Sequence, residues 1–276
     1  MPYRGVMTTL PRDVTAHLEV YVSAATEIEM QIAVAQLPGL VMTEDLKVSV
    51  DGTPIDPDEI VDDHGARIHR LDVESGLLVV DYEAHIETPA DPIPVEVTDH
   101  SVYLRPSRYA ECDKFFGFAA GQFDSSKKPA ELLNDVTAFV EDRLSYIPGA
   151  SDPIDGAADT LLAGAGVCRD YAHLVVALLR ALNIPARLVA VYAPGCEPMD
   201  FHAVAEAIID DEWVVVDATR LAPRQSLVRI ATGRDAADTA FLDNHRGSIN
   251  LNNYQVTATV RGDLPTDTGA ERIRIG

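Results

Sequence analysis

A proline-rich segment divides the sequence into two parts with different patterns. Three of the seven residues at 88–94 are prolines, which cannot donate to a sheet ladder and which favour extended connections. The pattern before this segment is strand-like, whereas helical repeats appear after it. We therefore predict a β-rich N-terminal module at 1–95, a second domain at 96–262 and a C-terminal tail at 263–276 that frays.

The N-terminal part consists of short alternating stretches. Apolar and polar residues alternate at 16–22 and 46–50, and residues 77–82 form a β-rich apolar run. Asp51-Gly52 and Ser75-Gly76 supply turn residues between these stretches. Repeated short strands with such punctuation predict an antiparallel, sandwich-like module.

Charge and hydropathy exclude two classes of partner. The net charge of −22 repels polyanions, which bind through clustered Lys and Arg, so we expect no nucleic-acid partner. No segment approaches the roughly 20 apolar residues that span a bilayer, and no apolar signal segment follows Met1. We therefore expect a cytoplasmic protein with no membrane partner. The sequence has only three cysteines, and such a small, odd number does not indicate a disulfide framework.

Cys168 stands at the predicted start of a helix. Apolar residues recur at helical spacing through residues 169–182, and Asn183 followed by Pro185 predicts the helix end. Gly164 and Gly166 let the backbone turn sharply before Cys168. Unpaired amides and the helix dipole would stabilise a thiolate there. Taken alone, Cys168 fits a small buried apolar residue equally well.

His202 and Asp217 are predicted to share one hairpin. Residues 202–209 and 213–217 read as strands, and Asp210-Asp211 supplies the tight turn. If Ile209 pairs with Glu212, Asp217 lies diagonal to His202 on one sheet face, within reach of a hydrogen bond. Such a carboxylate would orient the imidazole to take the thiol proton. Each residue alone is also typical of an ordinary strand end.

Other sites are disfavoured by the pattern. His173 follows Cys168 by five residues on the same helix and so points about 140° away from it. No zinc-type Cys/His spacing, G-x-S-x-G elbow or phosphate loop occurs, and we expect no cofactor.

Three blocks in order resemble the transglutaminase-like superfamily. They are residues 164–173 around Cys168, the run Phe201-His202-Ala203, and residues 213–219 around Asp217. The resemblance implies a papain-like core in which Cys168, His202 and Asp217 form the catalytic triad. It also implies that a side chain upstream of the cysteine helps an oxyanion hole, for which Tyr146 is the candidate, although a packing role fits Tyr146 as well. The chain departs from the family pattern at Val204 and Ala218, where Trp and Pro are usual.

The combined pattern predicts an α+β protein that acts on amides. The N-terminal β module would precede a catalytic domain in which the Cys168 helix packs on an antiparallel sheet. The expected reaction is acyl transfer from a peptide or protein amide through a thioester, with hydrolysis as the less demanding outcome. Amine transfer, as in a transglutaminase, and a non-catalytic peptide-binding module remain open alternatives.

Overall fold

Strands from both halves of the chain build most of the protein. The computed structural model describes residues 10–276, so the first nine residues of the predicted 1–95 module lie outside the described residues. Its strands are β1 (Arg12–Ala24), β2 (Thr26–Met30), β3 (Val41–Val50), β4 (Thr53–Pro54), β5 (Asp58–Val61), β6 (Arg67–Val73), β7 (Gly76–Thr88), β8 (Ser145–Tyr146), β9 (Ala165–Gly166), β10 (Ala186–Tyr192), β11 (Phe201–Ile209), β12 (Glu212–Val216), β13 (Val228–Gly233), β14 (Leu242–His245) and β15 (Ser248–Val260). The result is a mixed α/β protein with several antiparallel sheets.

The α-helices all lie in the middle of the chain. They are α1 (Asp99–Val102), α2 (Phe116–Gln122), α3 (Pro129–Arg143), α4 (Ala157–Ala163) and α5 (Cys168–Ala181). Within residues 10–276, no helix combines the length and the apolar character needed to cross a lipid bilayer.

The N-terminal strands form two sheets with a common core. One sheet has the order β15-β1-β7-β3-β4 and the other β14-β2-β6-β5. Side chains alternate between buried and half-buried along β1, as a strand with one covered face requires. Leu18 and Val80 of the first sheet and Ile28 and Leu71 of the second belong to one buried apolar cluster. Burial of these faces against each other is the main apolar contribution to this part of the fold.

Two strands from the second half of the chain complete these sheets. β15 pairs antiparallel with β1 and β14 pairs with β2, although both lie within the segment 96–262 that the sequence predicts as a separate domain. Without β15, the 13-residue strand β1 would expose a long row of unpaired backbone groups at a sheet edge. The N-terminal module is therefore assembled from both ends of the described chain.

The third sheet carries the central helix on one face. Its order is β12-β11-β10-β13, and all of its pairs are antiparallel. Leu174, Leu178 and Leu179 of α5 pack with Ala207 and Val214 of this sheet in one buried cluster. The amphipathic helix therefore fixes the position of its own first residue relative to β11.

The C-terminal segment covers the opposite face of the third sheet. Ile273 and Ile275 are buried with Val189 and Val215, and the Val215 N–H donates to the Ile273 carbonyl at 2.9 Å. The Asp267 carboxylate accepts a hydrogen bond from Arg224 Nε at 2.8 Å. The prediction that residues 263–276 fray is therefore wrong, because apolar burial and ion pairing hold this segment in place.

Candidate active site

Cys168 is the first residue of α5 and is partly exposed. The preceding turn requires glycine, because a Cβ on Gly166 would lie 2.7 Å from the Asp170 side chain. The Asp170 carboxylate accepts a hydrogen bond from the Val167 N–H at 2.8 Å and caps the helix. The local sequence thus presents the thiol at the positive end of a 14-residue helix.

The hairpin β11-β12 brings His202 and Asp217 together. Both turn residues, Asp210 and Asp211, have positive φ angles of 51° and 65°, as a two-residue hairpin turn demands. Ile209 pairs with Glu212, so the predicted register is confirmed. The His202 Nε2–H donates to Asp217 Oδ2 at 2.8 Å, and both side chains are buried.

Thr219 holds the other oxygen of the Asp217 carboxylate. Its N–H and its hydroxyl both donate to Asp217 Oδ1, at 2.9 and 2.6 Å. A carboxylate fixed at both oxygens orients the imidazole ring and selects its tautomer.

The surroundings of His202 favour its protonated form. Burial lowers the pKa of His202, but the Asp217 carboxylate and the Cys168 thiol outweigh burial and raise the pKa well above its ordinary value of 6.5. Burial raises the pKa of Asp217, but His202 and Thr219 outweigh it and the pKa falls below the ordinary 3.8. Both directions favour an imidazolium beside an ionised carboxylate.

The thiol of Cys168 completes the constellation. It lines the same cleft as His202 and is one cause of the raised pKa of that ring, and its sulfur is 4.0 Å from the Phe201 carbonyl oxygen. Because Asp217 occupies Nε2, the thiol is left with Nδ1. The three residues singled out in the sequence are therefore adjacent in space, in the order Cys168, His202, Asp217.

A cleft of about 690 Å³ opens in front of the thiol. Cys168, His202, Asp200, Phe241 and Tyr254 are among the residues that line it. The last of these comes from β15, so the wall of the cleft belongs partly to the first sheet. Its volume is typical of a site for an extended or drug-sized ligand.

Comparison with known proteins places this geometry in a family. The model of the transglutaminase-like superfamily matches residues 117–218, the segment that contains Cys168, His202 and Asp217. The crystal structure of a "putative cysteine protease" from Cytophaga hutchinsonii is 31% identical and superimposes with a TM-score of 0.84, covering 94% of this chain and 93% of that one. The chain belongs to the transglutaminase-like superfamily.

Two mycobacterial proteins match shorter stretches of the chain. An uncharacterised protein of Mycobacterium tuberculosis H37Rv is 30% identical over 183 residues, 60% of this chain and 56% of that protein. An uncharacterised protein of Mycobacterium leprae is 24% identical over 159 residues, 54% of this chain and 57% of that protein. The chain therefore spans a little over half the length of these two relatives.

Tyr146, the candidate for an oxyanion hole in the transglutaminase-like core, lies next to the thiol. β8 pairs with β9, and this pairing sets Tyr146 beside Gly166, two residues before Cys168. Burial and the nearby Cys168 raise the pKa of the Tyr146 hydroxyl, whereas a hydrogen bond from the Cys168 backbone N–H opposes that rise. The Tyr146 hydroxyl and the Cys168 amide are therefore close to each other, and 38% of the Tyr146 surface is exposed.

The other two cysteines differ from Cys168 in exposure and surroundings. Cys112 and Cys196 are both buried, and burial raises the pKa of each thiol. Of the three cysteines, Cys168 alone is partly exposed and within reach of the His202 ring.

His173 has a structural role; its position on the helix predicts that it points away from the Cys168 thiol. It is fully buried and stacks on Tyr109 with ring centroids 5.2 Å apart. Its Nε2 accepts a hydrogen bond from the Ala236 N–H at 3.1 Å, and burial lowers the pKa of His173 to about 3. A neutral His173 therefore anchors the loop that follows β13 at the edge of the cleft.

One group of side chains outside the cleft has metal-ligand character. Ligand atoms of Glu27, Glu29 and His245 lie within 4.8 Å of one another on β2 and β14. None of the three lines the cleft of Cys168, and Glu29 and His245 already form an ion pair at 3.3 Å.

The sequence did not indicate two residues that do line the cleft, Asp200 and Tyr254. No local motif links residues 54 positions apart.

Proposed function

We propose that the protein hydrolyses amide bonds of peptides or proteins through a thioester on Cys168. The observation that carries this proposal is the buried hydrogen bond of 2.8 Å between His202 and Asp217 beside a partly exposed thiol at a helix start. Membership of the transglutaminase-like superfamily supports a thiol enzyme of this general type.

The first half of the reaction forms the thioester. The proton of the Cys168 thiol resides on Nδ1 of His202, because the raised pKa of the ring favours the imidazolium, and the thiolate attacks the amide carbonyl carbon, forming a C–S bond as the carbonyl π electrons move to the oxygen. His202 then donates this proton to the substrate nitrogen, the C–N bond breaks and the amine leaves. Asp217 stays ionised and holds the ring in place.

The second half consumes water. His202 removes a proton from a water molecule, whose oxygen attacks the thioester carbonyl carbon. The C–S bond then breaks, the carboxylic acid leaves, and Cys168 and His202 return to their starting protonation states. The cleft in front of the thiol is open to solvent, so water can reach the thioester as the second reactant.

Negative charge on the substrate oxygen needs hydrogen-bond donors in both halves. We assign this role to the Cys168 N–H and the Tyr146 hydroxyl, which lie close to each other. Such donors act more strongly in the transition state than in the ground state.

The first experiment measures alkylation of Cys168 by iodoacetamide at neutral pH, with mass spectrometry to resolve the three cysteines. We expect Cys168 to react much faster than the buried Cys112 and Cys196, and we expect His202→Ala to slow it by 10-fold or more. The His202→Ala comparison matters because it removes the imidazole without adding atoms over the Cys168 sulfur, so slower alkylation reports lost activation and not lost access. Equal rates for wild type and His202→Ala would overturn the proposed activation and favour a non-catalytic binding module.

The second experiment measures the products. Incubation with a mixed peptide library should give new termini by mass spectrometry, and Cys168→Ala should abolish them. A labelled primary amine added to the same reaction distinguishes water from an amine as the acceptor. Cys168-dependent incorporation of the label without new carboxyl termini would show that the enzyme transfers amines and does not hydrolyse the amide.

A further inference from the structure

Asp200 is a charged residue of the cleft that the proposed reaction does not use. It precedes the first residue of β11 and is half-buried, two residues before His202. Its Oδ1 accepts a hydrogen bond from the Phe201 N–H at 2.7 Å, and its Oδ2 accepts one from the Tyr254 hydroxyl at 3.0 Å. These two hydrogen bonds orient the carboxylate from the start of β11 toward β15, the strand that carries Tyr254.

No cation forms a close ion pair with Asp200. Among residues 10–276, no Lys, Arg or His nitrogen lies within 4.0 Å of its carboxylate, and His202 pairs with Asp217 instead. Burial raises the pKa of Asp200, and the hydrogen bonds from Tyr254 and Phe201 and the charge of His202 only partly oppose that rise. The two hydrogen bonds compensate this half-buried carboxylate only in part for its lost hydration, and a cationic ligand would supply the opposite charge.

An aromatic wall continues from Asp200 along the cleft. The rings of Phe201 and Phe241 stack with centroids 4.9 Å apart, and Phe241 and Tyr254 follow at 6.2 Å. Tyr254 is 43% exposed, so the outer end of this wall remains open to a ligand. Aromatic rings can contact both the aliphatic stem and the cation of a basic side chain, whereas a carboxylate at the end of the wall can pair only with the cation.

The cationic side chain on the helix side of the cleft is already engaged. Arg169 Nη2 donates to the Ser151 hydroxyl at 2.7 Å and to the Asp152 carbonyl at 2.6 Å. Its guanidinium also lies over the Tyr109 ring at 5.8 Å. Arg169 and Asp200 therefore place charges of opposite sign on the lining of the same cleft.

We propose that Asp200, Phe241 and Tyr254 form a subsite for a lysine or arginine side chain of the peptide substrate, close to the amide that Cys168 attacks. The stem of that side chain lies along the two rings and its cation meets the Asp200 carboxylate. This inference rests on the proposed function, because it names the substrate class of the same cleft.

The test begins with the wild-type enzyme and needs no variant. Cleavage sites in a peptide library are determined first, and one cleaved peptide is then made in four forms that carry lysine, norleucine, acetyl-lysine or glutamate at each position flanking the cleaved bond. At one position we expect kcat/KM for lysine to exceed that for norleucine by about 10–100-fold, because a charge-assisted hydrogen bond is gained. We expect acetyl-lysine to behave like norleucine and glutamate to be the poorest.

Two matched variants assign the preference to Asp200. Asp200→Asn keeps the shape but removes the charge: its Oδ1 can still accept from the Phe201 N–H, and its Nδ2 can donate to the Tyr254 hydroxyl oxygen, so the lysine-to-norleucine ratio should fall to about 1. Asp243→Asn removes a charge from the exposed part of the same cleft lining and should retain the wild-type ratio. Circular dichroism and thermal melts establish that both variants are folded.

The outcomes separate the two proposals. Cys168-dependent cleavage with equal kcat/KM for lysine and norleucine at every position would overturn the cationic subsite and leave the proposed hydrolysis intact. A preference that survives Asp200→Asn, or that disappears in Asp243→Asn instead, would also overturn it. Absence of any Cys168-dependent cleavage of the library would overturn the proposed hydrolysis and this inference together.

Discussion

Glu206 lies between two arginines in the interior of the third sheet. Its Oε2 accepts a hydrogen bond from Arg187 Nε at 2.8 Å, and its Oε1 accepts one from Arg229 Nη2 at 2.5 Å. None of the three side chains is more than 1% exposed. The cluster thus holds two cations and one anion away from water, and Glu206 is the member on which both cations depend.

We expect Glu206→Gln to lower the free energy of unfolding by about 3–5 kcal/mol, the usual cost of leaving a buried charge without its partner. The lower end is the better expectation, because the Arg187 guanidinium also lies 3.7 Å from the centre of the Trp213 ring and keeps that contact. At about 2–4 °C per kcal/mol for a chain of this size, a loss of about 3 kcal/mol lowers Tm by about 6–12 °C.

The assay is urea unfolding followed by fluorescence and circular dichroism. Trp213 is the sole tryptophan of the sequence and contacts the cluster, so its emission reports on this sheet directly. Coincident transitions from both probes justify a two-state treatment. Glu212→Gln on the neighbouring strand is the matched control, because its pair with Arg274 is partly exposed and should contribute less than about 1 kcal/mol.

The pH dependence of the free energy of unfolding independently tests whether the charge of Glu206 stabilises the folded protein. Burial raises the pKa of Glu206, but Arg229 and Arg187 outweigh it and hold the pKa below its ordinary value of 4.5. Its contribution to stability is therefore complete above pH 4.5 and is lost as the pH falls through the lower folded-state value. If Glu206→Gln and Glu212→Gln destabilise equally at pH 7, the view of Glu206 as a buried neutralising charge is refuted.

Three further perturbations address the site and the C-terminal segment. Asp217→Asn removes the main group that raises the pKa of His202, so the alkaline limb of kcat/KM should move to lower pH; an unmoved limb in a pH profile from 5 to 10 would exclude His202 as the titrating group. Tyr146→Phe should lower kcat by about 100-fold if its hydroxyl stabilises the oxyanion, and steady-state kinetics with a loss below threefold would remove it from that role. Ile273→Ala should cost about 2–5 kcal/mol in urea unfolding, whereas Ile154→Ala, at a side chain 67% exposed, should cost little; equal effects would contradict the packing of the C-terminal segment.

Local features of the sequence were sufficient to predict the elements that carry the candidate triad. Asn183 has a φ of 63° just after α5, as its place before Pro185 indicates. The two-residue turn at Asp210 and Asp211 fixed the register of the hairpin, and that register alone brings Asp217 to His202. Both depend on neighbours within about 15 residues, so pattern and turn chemistry determine them.

Long-range pairings could not be predicted in this way. Nothing local to β15 indicates that it pairs with β1 more than 200 residues earlier, because any edge strand of suitable alternation satisfies the same backbone groups. Ile273 and Ile275 resemble the end of a polar tail in sequence, and only the third sheet gives them an apolar face to cover. The contact between Asp200 and Tyr254 is a consequence of the β1 and β15 pairing and was hidden for the same reason.

The pairing of β1 with β15 also affects synthesis of the chain on the ribosome. β1 is among the first described segments to emerge, yet its partner ends at Val260, so the first sheet stays open at one edge until nearly all of the described chain has been made. Tyr254 reaches the cleft with that same strand. A nascent chain that has already exposed Cys168 and His202 therefore still lacks the wall of the cleft that Tyr254 provides.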